Sequence, residues 1–476
     1  MANTNRLIDH FPYEKPRPSQ VAVLESIEKN WNRFDTFVVQ VPVAGGKSAI
    51  GIAIQNWCLE NSASAAITVP NNLLRDQYLG EFDWLKTLKK QSDYFLPRYN
   101  MNVKQFMTKH KIKFGPRGCE YNEDRKMVRR VGTPIVMNFM GYQAHKLFRN
   151  VMIIDEAHQM LPVLQGIHAT KIWKHIHKYP SNVKSVNDIL LWLEGLGEVN
   201  GALLKLKQEI KSLTPATTIE FTTDWYRGEE RECIKLLPMD VSAEAPIFWP
   251  KKTKKMVLMS ATIGESDVEN MGLSDRRVLY IKADSEIAEK RRPIIYNPIG
   301  SMSMRNKHET MPLLVKGIEG IVSKNEGRKG FIHATYELAG MLRDELPSER
   351  FIFHDKFNKR ERFEHFLSLP ASSGAVFVGS GMAEGIDLKY AAGHFQIITK
   401  IPFKSLVSPS YRFLAANKPR DYIWLTSKDL LQASGRICRT PDDYGETHIL
   451  DSDYDLWIER AEKYGQIPDW FNPKEK

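Results

Sequence analysis

The sequence predicts an α/β protein built on parallel sheets, and three observations carry that prediction. An uninterrupted apolar run, Val151-Met152-Ile153-Ile154, ends on Asp155-Glu156; a strand without a polar side is one buried on both faces, as in a parallel sheet covered by helices. A second strand-like segment, Thr36-Phe37-Val38-Val39-Gln40, runs into Val41-Pro42-Val43-Ala44-Gly45-Gly46-Lys47-Ser48, a small-residue loop that opens a helix. Beyond Pro298, strand-like and helix-like segments alternate again, the pattern of βαβ units.

The strand ends define the chemistry. In open α/β sheets ligands gather beyond the carboxyl ends of the strands, so the loop after Gln40 and the acids after Ile154 are expected at one site. Backbone N–H groups of Ala44, Gly45, Gly46 and Lys47 are then placed to wrap a β-phosphate. Lys47 bridges the β and γ phosphates, and the Ser48 hydroxyl reaches Mg²⁺. Asp155 is expected to hold Mg²⁺ through water, and Glu156 to orient and deprotonate the water that attacks the γ-phosphate. The loop departs from G-x-x-x-x-G-K-[ST] at Val41, where the first glycine would stand, and carries Ala44 in mid-loop. A bare Gly-Gly turn, or a helix start with two acids at its amino end, explains either segment alone but not both together.

Further segments follow in a fixed order. Phe11-Pro12-Tyr13 leads to Arg17-Pro18-Ser19-Gln20, and Ala66-Ile67-Thr68-Val69-Pro70-Asn71 is a strand running into a helix over Leu73 to Tyr78. Met256 to Ser260 is a strand ending in Ser260-Ala261-Thr262, and Gly330 to Thr335 is another ending in a hydroxyl residue. Val376-Phe377-Val378-Gly379 precedes Glu384-Gly385-Ile386-Asp387-Leu388, and Gln432-Ala433-Ser434-Gly435-Arg436-Ile437-Cys438-Arg439 comes last. On a helix, Arg436 and Arg439 share one face and can reach one phosphate together; a solvated helix with two surface arginines is the alternative.

In this order the segments resemble the motifs of superfamily 2 helicases, and more narrowly the XPD-like and DinG-like group. Phe11 to Gln20 resembles that group's adenine-reading Q motif, Ile397 to Leu406 its Pro-Phe segment, and Thr133 to Phe139 the strand-and-Asn segment before its acidic motif. The resemblance spans about Phe11 to Asp453, with residues 80–130 and 160–235 matching poorly.

The resemblance implies two RecA-like parallel-sheet motor domains, 1–285 and 286–476, joined by a hinge near Asp284 to Pro298 and holding ATP and Mg²⁺ between them. Gln20 and Gln432 would contact the nucleotide, Arg436 and Arg439 would act as arginine fingers, and Asp387 would couple the nucleotide to strand grip. Pro70, Asn71 and Thr335 would touch nucleic acid. The function implied is an ATP-dependent DNA helicase moving on single-stranded DNA and parting duplex. A translocase or remodeller that does not separate strands, and an RNA helicase, are the alternatives; a non-catalytic single-strand binding module is disfavoured by the intact motor residues.

Many relatives in this group carry four cluster-binding cysteines before the acidic motif. Here the chain's four cysteines are Cys58, Cys119, Cys233 and Cys438, with no C-x-x-C pair, so no iron–sulfur cluster is expected. Unpaired cysteines, a polar amino end and the lack of an eighteen-residue apolar run predict a reducing, cytoplasmic setting without membrane contact. A single-chain motor is expected.

The net charge of +10 favours a polyanionic partner, and nine of those ten charges fall between Lys86 and Arg130. Tyr94, Phe95, Tyr99, Phe106, Phe114 and Tyr121 are interleaved there. Arg125, Lys126, Arg129 and Arg130 would track phosphates while the aromatics stack on bases; a solvated basic surface with its aromatics turned inward is the alternative. The interval from Gln159 to Arg231 reads as a helical, arch-like insertion, because Leu196, Val199, Leu203, Leu206, Ile210 and Leu213 recur at spacings of three and four. It is either an arm over the strand exit or a helical pair packed on the motor.

Overall fold

The computed structural model describes residues 5–475 except 43–44, 197–200, 214–215, 227–228, 244, 246–248, 250–252, 347–348, 382–392, 439 and 441. Ala44, Asp387 with its neighbours 384–388, Arg439 and Val199 therefore lie outside the described residues. The chain forms two compact units, Met1–Asp284 and Ser285–Lys476.

The first unit is centred on a six-stranded, wholly parallel sheet. Its strands run in the order Val278–Lys282, Thr36–Gln40, Lys255–Ser260, Val151–Asp155, Ala65–Val69, Ile135–Asn138. Alternation of side chains sends Val38, Met152, Ile154, Met256 and Leu258 into one core layer. Phe37, Val39, Val151, Ile153, Val257 and Met259 enter the other. Burial on both faces is the physical reason these strands carry no polar side. Register then aligns the carboxyl ends, with Gln40 opposite Ser260 and Met259 opposite Asp155.

The second unit carries a seven-stranded parallel sheet in the order Phe351–Phe353, Val376–Ser380, Gly330–Ala334, Phe395–Ile398, Glu446–Asp451, Ile294–Gly300, Lys474–Glu475. Its first long strand, Ile294–Gly300, takes up part of the stretch read as a hinge. Asp451 ties strand ends together: its buried carboxylate accepts from the backbone N–H groups of Met302 at 2.9 Å and Ile401 at 2.8 Å. No helix among the described residues is long and apolar enough to cross a membrane.

The insertion after Gln159 corrects the helical reading. It contains a three-stranded antiparallel sheet, Thr170–Trp173, Glu229–Pro238 and Thr217–Tyr226, as well as the helices Val186–Gly195 and Gly201–Lys211. Only Leu203, Leu206 and Ile210 ride the second helix. Leu196 caps the first, directly after Gly195, a poor helix former. These helices and strands share their own core, in which Ile189, Leu193, Leu206 and Ile210 meet Ile172, Ile234 and Leu236. Thr217 to Tyr226 is rich in β-branched and aromatic residues, a strand signal outweighed in sequence by the leucine spacing upstream.

The basic interval is also more internal than a row of stacking platforms would be. Tyr94, Phe106 and Tyr121 are buried, whereas Phe95, Tyr99 and Phe114 are exposed. Tyr94 and Tyr121 pack edge to face at 5.4 Å, and the Tyr94 hydroxyl donates to Asp124 Oδ2 at 2.8 Å. Tyr94, Phe106 and Tyr121 join the core layer that holds the sheet residues Met152, Ile154 and Leu258, so half the aromatics are spent on packing the interval onto the sheet.

Candidate active site

The glycine-rich loop is shaped by local sterics. Val41 continues the strand, its N–H donating to Ser260 O at 2.9 Å, and its side chain is buried. A Cβ at Gly45 would lie 2.5 Å from Val41 Cγ1, so the valine that replaces the usual first glycine is accommodated by the glycine after Ala44. Gly46 has φ +73°, and a Cβ there would meet Gln20 Nε2 at 2.2 Å. Only glycine satisfies both the left-handed backbone and the close approach. Gly46 caps the helix Lys47–Glu60, which turns that helix's unpaired N–H groups and positive end toward the loop.

Gln20 braces this loop. Its Nε2 donates to Gly45 O at 3.2 Å and Gly46 O at 3.3 Å, while its Oε1 accepts from Arg17 N at 2.8 Å. Both ends of the amide that was expected to read a purine edge thus rest on backbone.

Across the sheet, Asp155 is the last residue of its strand and fully enclosed. Glu156 follows in the left-handed region, φ +49° and ψ +45°, a conformation that costs a non-glycine residue about 1–3 kcal/mol. That turn folds the Glu156 side chain back over the loop, where Oε1 lies 3.2 Å from Lys47 Nζ and Oε2 lies 3.3 Å from His158 Nδ1. The backbone N–H of Glu156 donates to Asp155 Oδ1 at 2.8 Å, which holds the turn.

The two acids are driven apart in proton affinity. Burial, reinforced by the neighbouring Glu156 charge, pushes Asp155 up to about 6. Burial acts on Glu156 in the same direction, but Lys47 and then His158 outweigh it and hold that carboxyl well below the usual range. Divergent carboxyls in a shared site are what acid–base chemistry at neutral pH requires.

Two residues complete the site that sequence reasoning did not single out. Tyr78, buried in the helix Asn72–Glu81, donates from its hydroxyl to Asp155 Oδ2 at 2.8 Å and also bonds the Ser48 hydroxyl. It therefore joins the two groups expected at the metal. His158 Nδ1 lies 2.8 Å from Ser260 Oγ, and Ser260 Oγ accepts from Thr262 N at 3.1 Å, so the acidic strand end and the Ser-Ala-Thr turn are in contact. A tyrosine directly after Arg75, Asp76 and Gln77 on a helix is a faint signal for such a role; the histidine two after Glu156 is a plainer one. The Ser48 hydroxyl and the Asp155 carboxylate are hard oxygen donors joined through one tyrosine, a set that fits Mg²⁺.

Pro70 and Asn71 lie at the same carboxyl edge, at the end of Ala65–Val69, the neighbour of Val151–Asp155 on the side away from the loop. Asn71 Oδ1 caps the following helix by accepting from Leu74 N at 2.9 Å, and Asn138 hydrogen-bonds Asn72. In the second unit Thr335 plays the same capping part, its Oγ1 accepting from Leu338 N at 3.2 Å. Arg125, Lys126 and Arg129 sit on the helix Glu120–Arg129, with Arg130 as its cap. Arg125 stacks 4.4 Å from the Phe114 ring centroid, Lys126 pairs with Glu123, and Arg129 donates to His145 O.

The motif carrying the arginine pair departs from expectation. The helix Pro419–Ser434 ends with Gly435 as its cap, and Arg436 follows in a bend rather than on the helix; Arg439 lies outside the described residues. Gln432 is buried on the last turn. Arg436 lies close enough to His333 to help lower its proton affinity, although burial is the larger cause of its fall to about 4. His333 Nε2 is 3.0 Å from Gln396 Oε1, and Gln396 Nε2 donates to Ser434 O at 3.0 Å, anchoring the helix end on the sheet.

Residues 332–473 match the family described as Helicase C-terminal domain, and residues 13–186 the family described as Type III restriction enzyme, res subunit. The regulator of telomere elongation helicase 1 homolog of Anopheles gambiae is 29% identical over 119 residues, 22% of this chain and only 12% of that protein's length. Among solved structures, S. tokodaii Xpd4 superposes with a TM-score of 0.59 at 15% identity, over 97% of this chain and 100% of that one. An XPD helicase superposes with a TM-score of 0.62 at 12% identity, over 98% and 100%. At these identities the likeness is one of fold, a RecA-like parallel sheet in each unit.

Proposed function

We propose, from the premise that this chain belongs to the XPD-like group of ATP-dependent superfamily 2 helicases, that it hydrolyses ATP to move along single-stranded DNA and part a duplex. One observation carries the reading: Lys47, Ser48, Asp155 and Glu156 meet on one sheet edge, with Glu156 turned onto Lys47 by a left-handed backbone. In the proposed reaction Lys47 moves its charge onto the β and γ phosphates. That removes the main influence holding Glu156 ionised and raises its proton affinity as it takes the proton of the attacking water. Ser48 and Asp155 would hold Mg²⁺, which when bound neutralises phosphate charge. Gln20 braces the loop, and Gly46 and Lys47 are proposed to offer backbone N–H groups to the phosphate; the Gly45 N–H, expected to share that part, is instead donated to Pro42 O at 2.9 Å.

The second unit is proposed to supply Arg436 and Arg439 to the transferring phosphoryl group, with Gln432 and Asp387 as its nucleotide-responsive partners. Pro70, Asn71 and Thr335 stand at strand ends where helix amino termini favour phosphate, which supports their role in gripping the strand. The spread of Cys58, Cys119, Cys233 and Cys438 over four different segments supports a motor working without an iron–sulfur cluster, to be checked by iron content of the purified protein.

The deciding experiment compares wild type with Lys47→Ala and Glu156→Gln on tailed DNA and RNA duplexes. Both variants should lose strand-stimulated ATPase and unwinding yet keep measurable DNA binding. Full turnover in either would overturn the assignment, and ATPase without strand displacement would make the protein a translocase.

A further inference from the structure

At the opposite edge of the first sheet, before the strands Ala65–Val69 and Val151–Asp155 begin, lies a recess of about 360 Å³ lined in part by Arg129, Lys146, Phe148 and Arg149. Its polar floor is self-satisfied: Ser64 Oγ donates to Asn150 Oδ1 at 2.8 Å and accepts from Asn150 N at 2.8 Å. Its cations are not. Among the described residues Arg129, Lys146 and Arg149 form no ion pair, and Arg149 is only 3% exposed. The Arg149 guanidinium is bonded to main-chain carbonyls alone, Nη2 donating to Val128 O at 2.6 Å and Arg130 O at 3.0 Å, and its Nε has no acceptor. A buried guanidinium without a carboxylate is an electrostatic cost that carbonyl dipoles offset only in part. An anion docking at the rim reduces that cost.

Two further features narrow the ligand. Phe148 stands beside the cations with half its surface in solvent, an aromatic face of the kind that stacks on bases. Arg129 belongs to the helix Glu120–Arg129, so the recess continues the interval that holds nine of the chain's ten net positive charges. We infer that this recess is a second nucleic-acid contact, in which Lys146 and Arg129 take a phosphodiester and Phe148 stacks on the adjoining base, on the sheet edge away from the nucleotide residues. The inference rests on the nucleic-acid reading above and deepens it. Arg149 clamps the end of the helix Glu120–Arg129 to the loop that carries Phe148 and is a positioning residue.

The test uses Lys146→Ala, Lys146→Arg and Phe148→Ala in the full chain; both positions are exposed. Single-stranded oligodeoxynucleotide binding is followed by fluorescence anisotropy from low to moderate salt. Lys146→Ala should weaken binding and flatten the log–log salt slope by about 0.7, the value of one single-strand phosphate contact, and Lys146→Arg should restore it. Phe148→Ala should weaken binding roughly fivefold or more, the lower end of one stacked base, and leave an abasic oligomer of equal length unaffected. Unchanged affinity and slope in Lys146→Ala, or an equal effect of Phe148→Ala on abasic DNA, would overturn the inference. Wild type without DNA-stimulated ATPase would instead count against the proposed function, so the two failures are separable.

Discussion

Asp155 is a charge that the folded chain holds at a cost, and replacing it by asparagine should make the ligand-free protein more stable while ending catalysis. The carboxyl is 2% exposed, and burial, aided by Glu156, raises it from 3.8 to about 6. A group raised on folding contributes stability that is complete below pH 3.8 and is lost as pH climbs through 6. Above that point the ionised Asp155 costs roughly two pH units of free energy, about 3 kcal/mol. Asparagine has nearly the same shape, keeps one oxygen for the Glu156 N–H, and presents its amide to the Tyr78 hydroxyl, so most of that cost should be recovered. Thermal unfolding of both proteins, without nucleotide or magnesium, reads this out from pH 4 to 8. At pH 8 the variant's transition should lie above wild type by several degrees, at roughly 2–4 °C per kcal/mol for a domain of 150–250 residues, and the gap should close near pH 4. Adding Mg²⁺ with a non-hydrolysable ATP analogue should stabilise wild type far more than the variant. A variant no more stable at pH 8, or a gap independent of pH, would refute the reasoning.

Gly46→Ala should lower nucleotide affinity at least tenfold and reduce thermal stability, because its Cβ would stand 2.2 Å from Gln20 Nε2 in a left-handed backbone; near-normal affinity by titration calorimetry would mean the loop adapts. Tyr78→Phe removes a hydroxyl bonded to both Asp155 and Ser48. It should raise the Mg²⁺ concentration for half-maximal ATPase roughly tenfold if that bond contributes about 1.5 kcal/mol, and an unchanged magnesium dependence would reduce Tyr78 to packing. Arg439→Ala should lower kcat far more than apparent nucleotide affinity, as expected of a group acting on the transition state; equal losses in steady-state kinetics would argue for ground-state binding.

The parts of this protein legible in sequence are those whose signals are local. The apolar run of 151–154, the Gly45-Gly46-Lys47-Ser48 loop and the alternation of the second unit announce strand ends, phosphate cradle and fold, because strand burial and positive-φ turns leave their mark within a few residues. What sequence could not decide is set by contacts across long separations. Tyr78 reaches Asp155 across 77 positions, and His158 meets Ser260 across 102, pairings that exist only because parallel register brings separate strand ends together. The helix expected to carry Arg436 stops at Ser434, where Gly435, a poor helix former, caps it. Which aromatics of the basic interval face inward is decided by packing on the sheet, whose core layer Tyr94, Phe106 and Tyr121 join. The recess of Lys146, Phe148 and Arg149 draws its charge from a helix and a loop that only the fold makes neighbours.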